Sequence, residues 1–498
     1  GSFAFSQMGR SVAFIPNVEG GLPPYSFEWD FGDGNMSTED APTNDYASAG
    51  TYTVSMKVTD SEGAMITDTQ TDIITLTQFM VPEKDKLRVA AFNTAMNRSN
   101  SGDLAADLAT GTDPAIQLVA ETIQRANADV VLVNEFDQIY DDDGNFDQAA
   151  TEASIKDFIN NYLKVAQAAD TNPIDYPYYY VAPANTGVQS GFDFDNNGEL
   201  GDPGDGFGFG AFPGQFAMIM LSKHPIYKSK VRTFQKFLWK DMPGAFLPPD
   251  PNDADENDDT SSYYTEEELE VFRLSSKSHW DIPIYVRGLG LVHMLASHPT
   301  PPVFDDGTAT EYPSTEVADF NGLRNHDEIR FWADYIDPAK SGYIYDDKEW
   351  DEAGGTTPVS PKGGLKKFST FIILGDHNAD PVDGDATFNP INLLLSNSDI
   401  NTMITPESAG ALEQVPPSFM MRETKTADFN LRADYALPSA SGQRLMNAWV
   451  FWPETSDLEA NLLGASDHRM VVVDIDMLPP RERWRLLFKK WLYLLRNR

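Results

Sequence analysis

The sequence predicts an α/β chain preceded by a small all-β module. Residues 10–78 alternate apolar and polar side chains with period two, as half-buried strands do. From residue 87 short apolar runs, the mark of strands buried on both faces, alternate with segments of helical spacing. Most of these later runs stop at an acid, an amide or an imidazole, so the polar residues are expected at one end of packed strands.

In the first module, Thr51-Tyr52-Thr53-Val54-Ser55-Met56-Lys57-Val58-Thr59 alternates. Phe27-Glu28-Trp29-Asp30-Phe31 does the same, and Gly32-Asp33-Gly34 supplies the turn after it. The segment Trp29-Asp30-Phe31-Gly32-Asp33-Gly34, with Tyr46 and Ala49-Gly50-Thr51-Tyr52-Thr53-Val54, resembles the PKD family, an immunoglobulin-like β-sandwich. The resemblance implies a spacer or binding module over residues 1–78, one that would attach to a polymer or surface and carries no chemistry. Residues 79–86, with Pro82 and mixed charge, read as a linker.

The domain that follows covers residues 87–478. Its first strand, 87–92, stops at Asn93. Ile116, Val119 and Ile123 share one face of a helix over 116–126. The strand 129–133 ends in Asn134-Glu135, and 216–221 ends in Ser222-Lys223-His224-Pro225. The strand 289–296 ends in Ser297-His298-Pro299, and residues 325–336 are helical. Phe371-Ile372-Ile373-Leu374 is a buried strand that stops at Gly375 and releases Asp376-His377-Asn378-Ala379-Asp380. Asp434 lies in a further strand, and Asp467-His468 opens the last, 470–475. A single acid at a strand end is ordinarily a solvated surface residue. Asn93, Glu135, His298, Asp376, Asn378, Asp434, Asp467 and His468 would instead gather at one edge of the packed sheets. Carboxylates and amides in such a set suit Mg²⁺, Mn²⁺ or Ca²⁺ better than a soft metal.

Composition narrows the setting. A chain of 498 residues has room for two or three domains, and 41% hydrophobic residues suffice for packed cores. The absence of cysteine excludes disulfides and thiolate-bound metals and leaves the compartment open. The net charge of −39, from 76 acidic and 37 basic residues, repels polyanions unless cations or local basic groups intervene, and suits a salty extracellular medium. No uncharged apolar run approaches the ~18 residues of a membrane-spanning helix. The chain opens Gly1-Ser2 without a charged-then-apolar leader, as expected of a secreted or cell-surface bacterial protein whose signal peptide has been removed.

The motifs Phe92-Asn93, Asn134-Glu135, Leu221-Ser222-Lys223-His224-Pro225-Ile226, Ser297-His298-Pro299, Gly375-Asp376-His377-Asn378-Ala379-Asp380, Arg432-Ala433-Asp434-Tyr435 and Ser466-Asp467-His468, in this order, resemble the endonuclease/exonuclease/phosphatase superfamily, of deoxyribonuclease I-like fold. The resemblance implies a four-layered α/β sandwich, two mixed sheets flanked by helices. It also implies hydrolysis of a phosphate ester with a divalent cation. By the same resemblance Glu135 is the main metal ligand, with Asn93 and Asp467 beside it. Asp376 polarises the attacking water or shares the metal, and Asn378 holds that water or a phosphate oxygen. His298 and His468 flank the phosphate, and Asp434 orients His468. The base is Asp376 or His468, and His298 is the expected acid. Two positions depart from the family. His377 stands where an apolar or aromatic residue is usual, and reads as core filler or as an extra ligand. Gln215 stands where relatives offer a Glu to the His at 298, which leaves that ring without an identified orienting partner.

Basic groups concentrate at 273–281 and 321–330. Lys277, His279, Arg324, Asn325 and His326 are therefore candidates to bind substrate phosphate, the alternative being ion pairs that pin long insertions. Asp193, Asp195, Asn197 and Gly198 resemble the front half of a calcium loop without its Glu at the twelfth position; a separate structural Ca²⁺ and a solvated acidic loop are the two readings. Residues 250–270 read as a solvated acidic loop. Residues 479–498 form a basic amphipathic tail that would touch an anionic membrane surface or dock on the acidic body. The function these features predict is a secreted metal-dependent phosphoesterase acting on phosphate mono- or diesters. The alternatives are an extracellular nuclease for DNA or RNA and a non-enzymatic adhesion protein; the intact motif set argues against the last.

Overall fold

The computed structural model describes residues 1–8, 11–18, 20–46, 50–76, 86–249, 262–287, 290–304, 320–477 and 488. The linker up to residue 85, the acidic stretch 250–261 and the basic tail apart from Phe488 lie outside the described residues.

Seven strands make the first module: β1 (Ser2–Met8), β2 (Ser11–Asn17), β3 (Ser26–Asp30), β4 (Met36–Ser37), β5 (Thr43–Asp45), β6 (Gly50–Thr59) and β7 (Met65–Leu76). They form two sheets, ordered β1-β2-β5 and β4-β3-β6-β7. The period-two pattern has its expected result in β3, where Phe27 and Trp29 point inward while Ser26, Glu28 and Asp30 stay exposed. Trp29 sits at the centre of the core, with the rings of Phe3 and Phe14 at 5.2 and 5.7 Å.

The second domain holds β8 (Lys86–Asn93), β9 (Val130–Asn134), β10 (Tyr178–Tyr180), β11 (Met218–Ser222), β12 (Arg232–Thr233), β13 (His279–Val286), β14 (Gly290–Ser297), β15 (Phe371–Asp376), β16 (Asp434–Pro438), β17 (Gln443–Val450) and β18 (Val471–Met477). Six of them form the sheet β10-β11-β9-β8-β18-β17 and five the sheet β12-β13-β14-β15-β16. Both sheets are mixed: β8 and β9 run parallel, as do β14 and β15, and the remaining neighbours are antiparallel.

Alternation along each strand builds the layers. Leu87, Val89 and Ala91 of β8 meet Ile372 and Leu374 of β15 between the sheets. Ala90 and Phe92 face the other way, onto the helix Pro114–Ala126 and its neighbours. Phe371 and Ile373 likewise face outward onto the helix Phe320–Tyr335. Strands covered on both faces must be apolar at consecutive positions, which is why β9, β11 and most of β15 read as unbroken apolar runs. The helix predicted over 116–126 begins at Pro114, where Asp113 caps it by accepting from Ile116 N at 2.9 Å.

Two long strands escaped the sequence reading. β13 carries Asp281 and Pro283 inside an apolar stretch; β12 pairs only with Trp280 and Asp281, so Pro283 withholds no ladder donor from it. β17 breaks its period at a bulge between Leu445 and Asn447.

Candidate active site

Strand register brings the strand-end residues together. In the parallel pair β8/β9, Asn93 lies opposite Asn134, and Glu135 follows. In the parallel pair β14/β15, Ala296 lies opposite Leu374, so His298 and Asp376 emerge side by side. In β15/β16, Asp376 lies opposite Asp434. His468 precedes β18, whose Val471 pairs with Ala91. One sheet therefore supplies Asn93, Glu135 and His468, the other His298, Asp376 and Asp434. Gly375 allows the close approach: its φ is 145°, and a Cβ there would lie 1.9 Å from Ser297 O.

The Asn93 amide ties the two sheets. Its Nδ2 donates to Glu135 Oε1 at 2.9 Å and to Asp376 Oδ2 at 3.0 Å. The same Asp376 oxygen stands 3.3 Å from His298 Nε2 and 3.6 Å from His468 Nε2. Asp376 Oδ1 accepts from Asn378 N at 2.9 Å, and Asp376 N donates to Asn134 Oδ1 at 3.3 Å. His468 Nδ1 meets Asp434 Oδ2 at 2.8 Å, and Thr426 Oγ1 donates to that oxygen at 2.8 Å. Glu135 adopts a left-handed φ of 62°, a conformation that a non-glycine side chain holds only where its surroundings enforce it.

Charge inside the site is unevenly shared. Burial pushes the Glu135 carboxyl up, and the charges of Asp376 and Asp467 add to this. Burial also pushes Asp434 up, to about 6. Burial alone would raise Asp376, but the His468 charge and hydrogen bonds from His298 and Asn93 override it and hold Asp376 well below the usual carboxylate range. Burial would lower His468, but Asp434 and Asp376 outweigh it and lift the imidazole to about 10. Burial and then the Lys277 charge pull His298 down to about 4. At neutral pH one ring of the pair is charged and the other is not.

Asp467 sits exposed at the rim, near enough for its charge to act on Glu135 and His468. Of the basic candidates, Lys277 reaches the site: it is buried, and Nζ lies 3.5 Å from Pro299 O, beside His298. The other four serve the framework. His279 spends both ring nitrogens, on Ser275 Oγ and Glu328 O, each at 2.9 Å. Arg324 donates to the backbone carbonyls of Leu274, Arg273 and Phe207. Asn325 donates to Thr300 O and His377 O. His326 pairs with Asp327 and packs on Phe246.

His377 fills core, with Nδ1 3.1 Å from Gly375 O and its ring edge-on to Tyr435. Gln215 is committed to Arg98 O and Ala211 N, and His298 Nδ1 has no partner among the described residues. Asp380 is held by a fully buried Lys425 at 2.7 Å and turns the chain by accepting from Val382 N and Asp383 N. The carboxylates of Asp193, Asp195 and Asp205 come within 4.8 Å of one another, and Asn197 turns its amide nitrogen toward Asp195 and Asp202. Sequence reasoning missed Thr426, Lys425 and the buried Glu328, which accepts from Ser276 N, Ser276 Oγ and Thr300 N. Nothing in their local sequence marks them, because each acts on a partner that only the fold brings to it.

The donor set fits a hard cation. Ligand atoms of Asp376, Asp434 and His468 lie within 4.8 Å of one another, and Glu135 joins Asp376 through the Asn93 amide, where burial already disfavours an uncompensated anion.

The model of the Endonuclease/Exonuclease/phosphatase family matches residues 90–468, more than half of the chain, and that of the PKD domain matches residues 12–76. An endonuclease/exonuclease/phosphatase from Beutenbergia cavernae is similar at 15% identity, over 79% of this chain and 72% of that one, with a TM-score of 0.40. TDP2 from Caenorhabditis elegans is similar at 12% identity, over 78% of this chain and 75% of that one, with a TM-score of 0.31. The PKD1 domain of Vibrio anguillarum Epp is 41% identical over 15% of this chain and 90% of that one, with a TM-score of 0.14. The microbial collagenase of Vibrio alginolyticus is 44% identical over 72 residues, 14% of this chain and 9% of that protein. The chain thus spans under a tenth of the curated relatives it matches.

Proposed function

The chain belongs to the endonuclease/exonuclease/phosphatase family, and from that premise we propose that its second domain hydrolyses phosphate mono- or diesters by in-line attack of water at a divalent-cation site. The observation that carries the reading is the Asn93 amide linking Glu135 to Asp376 across the sheets, with both histidines closing on the same Asp376 oxygen. Asn93, Glu135 and Asp467 would hold the cation. When bound, it neutralises phosphate charge and acidifies water. Asp376, held ionised, accepts the proton of the attacking water. Asn378 anchors its Nδ2 on Pro299 O at 3.1 Å, which leaves its Oδ1 to orient that water. His468, kept charged by Asp434, donates to a phosphate oxygen.

A nuclease reading draws support from an exposed ring at the site. Phe429 lies edge-on to His468 at 5.2 Å and is 42% exposed. Such a ring gives an unpaired base a surface to stack on. The location proposed is outside a bacterial cell, and the support is the PKD module and the acid-rich surface. The PKD module would attach the enzyme to a polymer or surface.

A substrate panel with and without chelator tests the reading: a chromogenic phosphomonoester, a chromogenic diester, plasmid DNA, RNA and sphingomyelin. Turnover of at least one with Mg²⁺, Mn²⁺ or Ca²⁺, abolished by chelator and by Glu135→Ala, is the expected result. No turnover of any under all three cations would reject it.

A further inference from the structure

Among the described residues, Lys277 is a buried cation without an ion-pair partner. It lies just before β13, where its carbonyl accepts from Asn185 N at 2.8 Å, and the residue is 6% exposed. Among the described residues, Nζ makes one hydrogen bond, to Pro299 O at 3.5 Å. That carbonyl also accepts Asn378 Nδ2, so the ammonium and Asn378 converge on one point beside His298. Glu328, Asp376 and Glu135 attract the ammonium electrostatically. The nearest in kind, Glu328, already has both carboxylate oxygens taken by Ser276 and Thr300. A lone ammonium is costly to bury, so a site that keeps one with N–H hydrogens to spare presents it to something that arrives.

The histidines face elsewhere. His298 Nε2 is directed at Asp376, and its buried Nδ1 has no hydrogen-bond partner among the described residues. His468 Nδ1 is spent on Asp434. We propose that Lys277 delivers the proton to the leaving-group oxygen of the ester, an assignment that rests on the phosphoesterase reading above. As water oxygen bonds to phosphorus, the bond from phosphorus to the leaving oxygen breaks and its electron pair stays on that oxygen. The oxygen takes a proton from Lys277 Nζ, and the water's proton passes to Asp376. The Asp376 proton leaves to solvent, and solvent reprotonates Lys277. Burial favours this direction, since it weakens the hold of Nζ on its proton.

The test is leaving-group dependence, measured on the full chain with Mg²⁺ and esters of p-nitrophenol, phenol and an aliphatic alcohol. Wild type is expected to cleave phenyl and p-nitrophenyl esters within about tenfold of one another, because donated protons level the leaving groups. Lys277→Met should slow both esters, and should lose roughly thirtyfold more on the phenyl ester than on the p-nitrophenyl ester. Added methylamine should restore phenyl-ester turnover in Lys277→Ala. Equal losses on both esters would overturn the assignment. So would a steep leaving-group dependence in wild type, a measurement that needs no variant to fold. If wild type cleaves no ester at all, it is the phosphoesterase reading itself that fails.

Discussion

Asp434 and His468 meet at 2.8 Å, and Asp376 faces the same ring at 3.6 Å. The ring is thus held between a carboxylate that orients it and one that works beside it. Asp434→Asn removes the orienting charge and can reverse which nitrogen carries hydrogen. It should lower kcat by roughly 10²- to 10⁴-fold with little change in KM. Steady-state kinetics on the best substrate check this, and an unshifted thermal melt shows that folding is intact. At this scale the sequence was most informative where a buried strand ends. Asn93, Glu135, His298 and Asp376 were legible because each stands at the point where an apolar run stops. Glu328 and Thr426 were not, since their meaning lies in contacts made 52 and 8 residues away. His279 and Arg324 were misleading for the opposite reason: composition marks a basic group but cannot say that the protein's own carbonyls consume its donors.

Between residue and domain stands the turn after β15. Lys425 is fully buried and bonds both Asp380 and Asp383, while Arg432 N donates to Asp380 at 2.7 Å. This cluster pins the loop bearing Asp376 and Asn378 to the segment that leads into β16. Lys425→Met leaves two carboxylates uncompensated and should cost about 3–5 kcal/mol. The double variant Lys425→Met/Asp380→Asn should recover part of that loss, as urea titrations would show; no recovery would mean the lysine acts through packing alone. Elements of unbroken apolarity were easy to find, whereas β13 and β17 were not. A strand's identity there depends on which neighbour pairs with it, and that neighbour is distant in sequence.

Over the whole molecule, acid should act before the carboxylates titrate. Burial holds His279 down to about 3, against about 6.5 for an unfolded histidine. Protonation therefore favours the unfolded chain, so this contribution is complete above pH ~6.5 and is lost as pH falls toward 3, at up to ~1.4 kcal/mol per pH unit. The melting temperature should decline between pH 6.5 and 4, and His279→Gln should flatten the decline. A slope unchanged in the variant would assign the loss to other groups.

Topology has a further consequence, in time rather than in space. β18 lies near the end of the domain in sequence, yet it occupies the interior of the six-stranded sheet, between β8 and β17. His468 arrives with it. A chain still on the ribosome can have made Glu135, His298 and Asp376 and yet have neither the strand that joins β8 to β17 nor the imidazole that faces Asp376. Parallel and long-range pairings close slowly, so the site stays incomplete until this last interior strand of the domain inserts.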